Sequence, residues 1–227
     1  MLVKNWMSRP VVTVREEDSM EDVMRLMKKR TIRILPVLKK GHLTGIVTDR
    51  DIKRASASDA TTLDIWELHD LISKIKVKNI MTREPITVPN DYTIEETAQL
   101  LMEHKISGVP VMNPQDEIEG IITQTDLFKL IISFTSVGIN CVRLALQLED
   151  RSGSIKTVTD MIREKGGRLA SIMTSYDQAP AGFRNVYIRA YSIDEESLNQ
   201  IRNILPKKVK VLYAIGQWEN KRYVFKE

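Results

Sequence analysis

A duplication constrains this chain more than any other feature. Val3-Lys4-Asn5-Trp6-Met7-Ser8-Arg9 returns as Val77-Lys78-Asn79-Ile80-Met81-Thr82-Arg83, and Val12-Thr13-Val14 returns as Ile86-Thr87-Val88. Leu35-Pro36-Val37 returns as Val109-Pro110-Val111, and Gly45-Ile46-Val47-Thr48-Asp49-Arg50-Asp51 returns as Gly120-Ile121-Ile122-Thr123-Gln124-Thr125-Asp126. The copies lie about 74 residues apart, with one residue added before the last motif. Each copy is too short to bury much surface alone. Two copies packed together make one core and, by their symmetry, two equivalent clefts, where function is expected.

Each copy reads as β-α-β-β-α. In the first, Val11–Val14 is a short strand, and Ser19-x-x-Asp22 is a capping box ahead of Met20, Val23, Met24 and Met27 at helical spacing. Ile32–Leu38 and Leu43–Val47 form a hairpin around Lys39-Lys40-Gly41-His42, and Asp51 opens a second helix through Ala55. In the second, Thr93-x-x-Glu96 caps a helix with Ile94, Ala98 and Leu101 on its buried face. Ser107–Met112 and Ile118–Ile122 flank the turn Asn113-Pro114-Gln115-Asp116, and Asp126–Ser133 closes the unit as a helix. The methionines read as core filling. Residues 56–76 link the copies, with Ile65, Leu68, Ile72 and Ile75 predicting an amphipathic helix over Asp64–Ile75 and Trp66 on its flank.

A different pattern occupies residues 138–216. Cys141–Leu148 is strand-like, and Ile155, Val158, Met161 and Ile162 make a helical face ended by Gly166-Gly167. Leu169–Tyr176 and Phe183–Tyr191 are strands; Asp194 caps a helix stopped by Pro206, and Val209–Ile215 is a last strand. The order β-α-β-β-α-β is that of a ferredoxin-like plait. Gln217–Glu227 is a tail without an evident role. The fold class is therefore mixed α+β / α/β: a repeat pair followed by a plait.

Composition excludes several classes. The net charge of +4 is mild for 227 residues, and no run of basic residues with interleaved aromatics marks a nucleic-acid surface. Lys28-Lys29-Arg30 suits a helix end, where cations meet the negative dipole terminus. No apolar run is long enough to span a bilayer and no signal peptide is evident, so a cytoplasmic location is expected. One cysteine excludes an intrachain disulfide framework, and His42, His69 and His104 lack metal-site spacing.

The repeated Thr-x-x-Asp carries the chemistry. Thr48 with Asp51, and Thr123 with Asp126, sit at a strand end and a helix start. A carboxylate there can accept two hydrogen bonds from a ribose diol, while the hydroxyl and the helix N-terminus can serve a phosphate. A single Asp at a helix start is ordinarily just a cap; the same pair at equivalent places of a duplication points further, to a pair of binding sites.

Met7 and Met81, the strands ending Pro36-Val37 and Pro110-Val111, and Gly-x-x-Thr-x-x-Asp at residues 45–51 and 120–126 resemble cystathionine-β-synthase (CBS) domains, which pair as a Bateman module. The resemblance covers roughly residues 1–134, with repeats at 1–55 and 77–134. It implies a regulatory adenosine-containing ligand (ATP, ADP, AMP or S-adenosylmethionine) in two clefts, and no catalytic cofactor. It further implies that Asp51 and Thr48 hold ribose and phosphate in the first cleft, with Arg33 and Arg50 toward the phosphates. Thr87, Ile106, Ser107 and Gly108 would line the base pocket there, Gly108 leaving room for the ring. In the second cleft Asp126 and Thr123 would hold ribose, with Thr13, Ile32, Arg33 and Ile34 around the base. Ser107 there replaces an arginine, Thr125 replaces Arg50 and bulky Ile34 replaces glycine. The first cleft is therefore expected to bind more tightly.

Residues 138–216 resemble an ACT domain. That resemblance implies oligomer assembly and a candidate amino-acid site at Asp150-Arg151-Ser152-Gly153, of which Asp150, Ser152 and Gly153 would carry the contacts. The whole order resembles the acetoin-utilisation (AcuB) family, implying a link to acetoin or acetate metabolism. The expected protein is a non-enzymatic regulatory homodimer, assembled through both kinds of domain, acting on a regulated enzyme. A nucleotide-cued transcriptional regulator is the alternative, although no helix-turn-helix stands out. A nucleotide hydrolase fits less well: there is no base–nucleophile pair, P-loop or metal cluster.

Overall fold

The computed structural model describes residues 1–59, 72–135, 141–216 and 223–224. They fall into two compact units, Met1–Lys129 and Leu130–Glu227. The linker prediction over Asp64–Ile75, with Trp66, lies largely outside the described residues; Ile72 and Ile75 pack on the core of the first repeat.

In the first unit, β1 (Val14–Arg15) runs parallel to β2 (Ile34–Lys39), which pairs antiparallel with β3 (His42–Thr48). The turn between β2 and β3 places Lys40 and Gly41 at φ 51° and 88°, the left-handed pair a two-residue hairpin requires. The helix Met20–Arg30 begins where expected: the Ser19 hydroxyl accepts from Asp22 N at 3.1 Å. It buries Met20, Val23 and Met27 against Leu35, Val37 and Val47. The second repeat matches element for element. β5 (Val88–Pro89) runs parallel to β6 (Gly108–Met112), β6 pairs with β7 (Ile118–Thr123), and the helix Ile94–Glu103 starts at a complete Thr93/Glu96 capping box.

Both terminal helices of the repeats begin two residues earlier than expected, at Asp49 and Gln124, and run to Asp59 and Phe134. The cause is the Thr-x-x-Asp motif itself. Thr48 and Thr123 act as caps, so the aspartates lie inside the first turn rather than at its start.

The repeats are not closed units. The segment before each first strand docks on the other repeat. Val3 N and Lys4 N donate to the carbonyls of Tyr92 and Asn90, while Val77 N and Lys78 N donate to those of Asp18 and Glu16. Ser8 bridges to Ile121 in β7; its counterpart β4 (Thr82–Arg83) pairs with Gly45 and Ile46 in β3. Met7 packs over Gly120 and Met81 over Gly45, so closely that a Cβ on either glycine would lie 2.1 Å or 2.6 Å from the methionine sulfur. Val3 and Val77 are fully buried by this exchange. It explains why Gly and Met recur together: the glycine in each repeat makes room for the methionine of the other.

The second unit has the order β8 (Val142–Glu149), helix Ser154–Glu164, β9 (Arg168–Ser175), β10 (Phe183–Tyr191), helix Glu195–Ile204 and β11 (Lys210–Ile215). Its sheet order β11-β8-β10-β9, all antiparallel, is that of a ferredoxin-like plait. Both helices cover one face, where Val142, Leu144, Leu146, Leu148, Val186 and Ile188 meet Val158, Ile162, Leu198 and Ile201. The tail is not wholly without structure: β12 (Tyr223–Val224) adds a strand beside β11.

Candidate functional site

The two Thr-x-x-Asp motifs have the same geometry. In the first repeat Asp51 Oδ2 accepts from Thr48 N at 2.9 Å and from the Thr48 hydroxyl at 2.7 Å, and that hydroxyl accepts from Asp51 N at 3.3 Å. In the second, Asp126 Oδ2 accepts from Thr123 N at 3.0 Å and the Thr123 hydroxyl at 2.7 Å, with 3.3 Å in return. One carboxylate oxygen is consumed by the cap, leaving Oδ1 for other work. The residue expected to hold a ligand is therefore itself part of the helix cap. Both aspartates are buried, at 9% and 7% exposure. The threonine hydroxyl proton, expected for a phosphate, already goes to the carboxylate.

The Oδ1 atoms differ in what surrounds them. Arg54 stands 3.7 Å from Asp51 Oδ1. Asp126 Oδ1 has Lys129 Nζ and the Ser8 hydroxyl, each at 3.4 Å. Ser8 belongs to the exchanged segment, and sequence reading missed it; its equivalence to Thr82 was the only signal.

Backbone bonds place the strand-entry residues beside these helix starts. Asp49 N donates to the Arg33 carbonyl, and Gln124 N donates to that of Ser107, the equivalent position. Arg33 and Arg50 are both exposed. Gln124 Nε2 also donates to the Ile106 carbonyl. Ile32 and Ile106 are half-buried before β2 and β6, as Thr13 and Thr87 are before β1 and β5.

Gly108 departs from its expected role. A Cβ there would meet Ile34 Cδ1, the Ile122 carbonyl oxygen and Thr123 Cγ2, each at 2.9 Å. Ile34 and Gly108 are equivalent positions, and they touch. The space over Gly108 is filled by Ile34 rather than left for a ring; large meets small across the pseudo-dyad. In the sheets Ile34 is paired with Thr48 and Gly108 with Thr123, so this contact also draws the two threonine motifs together. A recess of about 350 Å³ takes in Thr87 with Pro89, Asn90, Asp91, Met112 and Asn113, at the end of β6 remote from Gly108. It contains none of the other candidate residues.

In the second unit, Gly153 (φ 82°) precedes the helix Ser154–Glu164 without a side-chain cap, and Ser152 is exposed. Asp150 Oδ1 stands 3.5 Å from Arg184 Nε and accepts from the Tyr176 hydroxyl at 3.5 Å. Arg184 also donates to the Ser154 hydroxyl at 3.2 Å. Arg184, in β10, and Tyr176, just past the end of β9, were not legible from the local loop sequence. Among the described residues no metal-binding cluster of His, Cys, Asp or Glu occurs, and no helix is long and apolar enough to cross a membrane.

Comparison with known proteins agrees with the first unit. The CBS domain family matches residues 3–58 and 77–133. Protein MJ1426 of Methanocaldococcus jannaschii is 33% identical over 155 residues, a match covering 58% of this chain and 92% of that one. An inosine-5'-monophosphate dehydrogenase of Korarchaeum cryptofilum is 34% identical over 125 residues, covering 55% of this chain but only 23% of the enzyme. Among solved structures, the CBS domain pair of protein MJ0100, in complex with 5'-methylthioadenosine and S-adenosyl-L-methionine, is 30% identical, with a TM-score of 0.50 over 58% of this chain and 95% of that one. A protein assigned to acetoin utilization (AcuB) from Vibrio cholerae shares the fold at 24% identity and a TM-score of 0.51, over 61% of this chain and 95% of that one. The chain belongs to the CBS-domain family and carries a tandem CBS pair.

Proposed function

We propose that the CBS pair is a sensor for an adenosine-containing ligand, and that the protein is a regulator rather than an enzyme. The observation that carries this reading is the twofold recurrence of a buried carboxylate with one oxygen locked by its own cap and the other left outside it. Such an oxygen accepts from a ribose hydroxyl at a fixed position. The complex of the MJ0100 pair with two adenosine compounds supports the ligand class. The dehydrogenase relative supports a regulatory use, because the similarity covers a minor part of that enzyme.

The first cleft is the tighter one. Asp51 Oδ1 has the more distant neighbour, and Arg33 and Arg50 supply guanidiniums that match phosphate oxygens bidentately. The second has Ser107 and Thr125 in their places, and its Asp126 Oδ1 is approached by Ser8 and Lys129. The ligand acts by favouring one of two arrangements of the pair, through a difference in affinity for them.

The C-terminal plait is read as an ACT-type module that assembles a homodimer and takes an amino acid near Asp150, Ser152 and Gly153. A regulated enzyme in acetoin or acetate metabolism, in the cytoplasm, completes the reading; it rests on resemblance to the acetoin-utilisation family. Calorimetric titration with ATP, ADP, AMP and S-adenosylmethionine tests the ligand class, and product analysis after incubation with ATP tests the absence of turnover. Saturable binding with intact nucleotide supports the sensor; hydrolysis, or binding of none of the four, contradicts it.

A further inference from the structure

The sheet of the second unit has a face without helices, and its chemistry is unaccounted for by the ligand site of the CBS pair. Side chains alternate along a strand, so with Leu144 and Ile188 turned to the helices, Arg143 and Arg189 turn the other way. Strand register sets these two arginines directly opposite each other on β8 and β10, with Ser171 of β9 opposite Arg189. The next row of the same face is Met173, Tyr187, Ala145 and Tyr213. Like charges directly opposite on a sheet repel.

Nothing described on this face offsets that repulsion. Among the described residues of β8 to β11 the acidic residue is Glu149, at the far end of β8, and it is paired with Arg151 at 2.7 Å. Arg189 Nε and Ser171 Oγ are buried and have no hydrogen-bond partner. Arg184, whose Nε also lacks a hydrogen bond, differs: that Nε stands 3.5 Å from Asp150 Oδ1, and another of its nitrogens donates to the Ser154 hydroxyl. Two register partners with orphaned polar atoms, beside a second guanidinium, are a donor set without an acceptor.

We propose that Arg143, Arg189 and Ser171 form a binding site for a small oxyanion-bearing ligand, a phosphate or carboxylate, on the helix-free face of the C-terminal sheet. An oxyanion relieves the repulsion and accepts from both guanidiniums and the hydroxyl at once. A second copy of the same face does not suit as the occupant, because it would gather four guanidiniums.

The test is titration of the full chain with inorganic phosphate and, separately, citrate, against chloride at equal ionic strength, following both heat and the thermal unfolding midpoint. An Asp51→Ala/Asp126→Ala background silences the two clefts and separates this site from them. Saturable binding of either anion, weakened at least about tenfold by Arg143→Gln and by Arg189→Gln, supports the site; the anion that binds names the source of the oxyanion. Arg189→Lys, which keeps the charge but not the fork, retains part of the affinity and shows that the loss is not one of folding. Absence of saturable binding by both anions, or binding unchanged by both glutamine variants, overturns it.

Discussion

The two halves of the CBS pair share a backbone plan but not a cleft. Both aspartates hold their caps with the same pair of bonds, to within 0.1 Å. What differs is the outward oxygen. Asp51 Oδ1 looks toward Arg54 at 3.7 Å, and Asp126 Oδ1 toward Lys129 and Ser8 at 3.4 Å. The shared part is what folding requires of a strand-to-helix junction. If the proposed ligand binds here, the divergent part sets its affinity, and fold-keeping and ligand choice are separated within a single motif.

The largest expected effect concerns the exchanged segments. Removing residues 1–8 strips buried Val3 and Met7 from the second repeat, and at about 1.5–3 kcal/mol per buried side chain the loss is roughly 3–6 kcal/mol. Denaturant unfolding reads it, and a loss below about 1 kcal/mol would show that each repeat closes on itself. Next, Gly120→Ala drives a methyl into Met7 and costs about 1–3 kcal/mol. Met7→Ala in the same chain returns part of that, whereas Gly108→Ala is not rescued by Ile34→Ala, because the Ile122 carbonyl also blocks the methyl. Thr48→Ala and Thr123→Ala remove equivalent caps and should each cost about 1 kcal/mol. A large inequality between them would mean that the shared geometry hides different strain.

The smallest effect is on acid sensitivity. Side-chain bonding to Thr93 holds the Glu96 carboxyl below its ordinary range, and bonding to Ser19 does so for Asp22. A carboxyl lowered in the folded state contributes stability above its unfolded pKa, and this is lost as pH falls through the folded value. Glu96→Gln and Asp22→Asn should therefore flatten the decline of the unfolding midpoint at acid pH by similar small amounts.

The helices, hairpins and plait were legible because their signals are local. Ser19, Thr93 and Asp194 start helices by side-chain caps, and Lys40-Gly41 supplies the positive φ angles of a hairpin. The exchange of Met7 and Met81 was not legible. A repeated sequence says that two segments are alike and leaves open which repeat each one packs on. The same gap explains Gly108: an isolated glycine suggested space, and the side chain filling that space comes from its own equivalent position, Ile34. Ser8 at Asp126 and Arg184 at Asp150 belong to this class too, as neighbours brought in by tertiary pairing.

The most direct test of the central claim compares Asp51→Ala with Asp126→Ala by calorimetric titration of the tightest adenosine ligand. A charge-assisted hydrogen bond contributes about 1.5–3 kcal/mol, so Asp51→Ala should weaken the strong site roughly 10- to 100-fold, while Asp126→Ala leaves it nearly unchanged. Equal losses in the two variants, or no loss in either, would contradict the account.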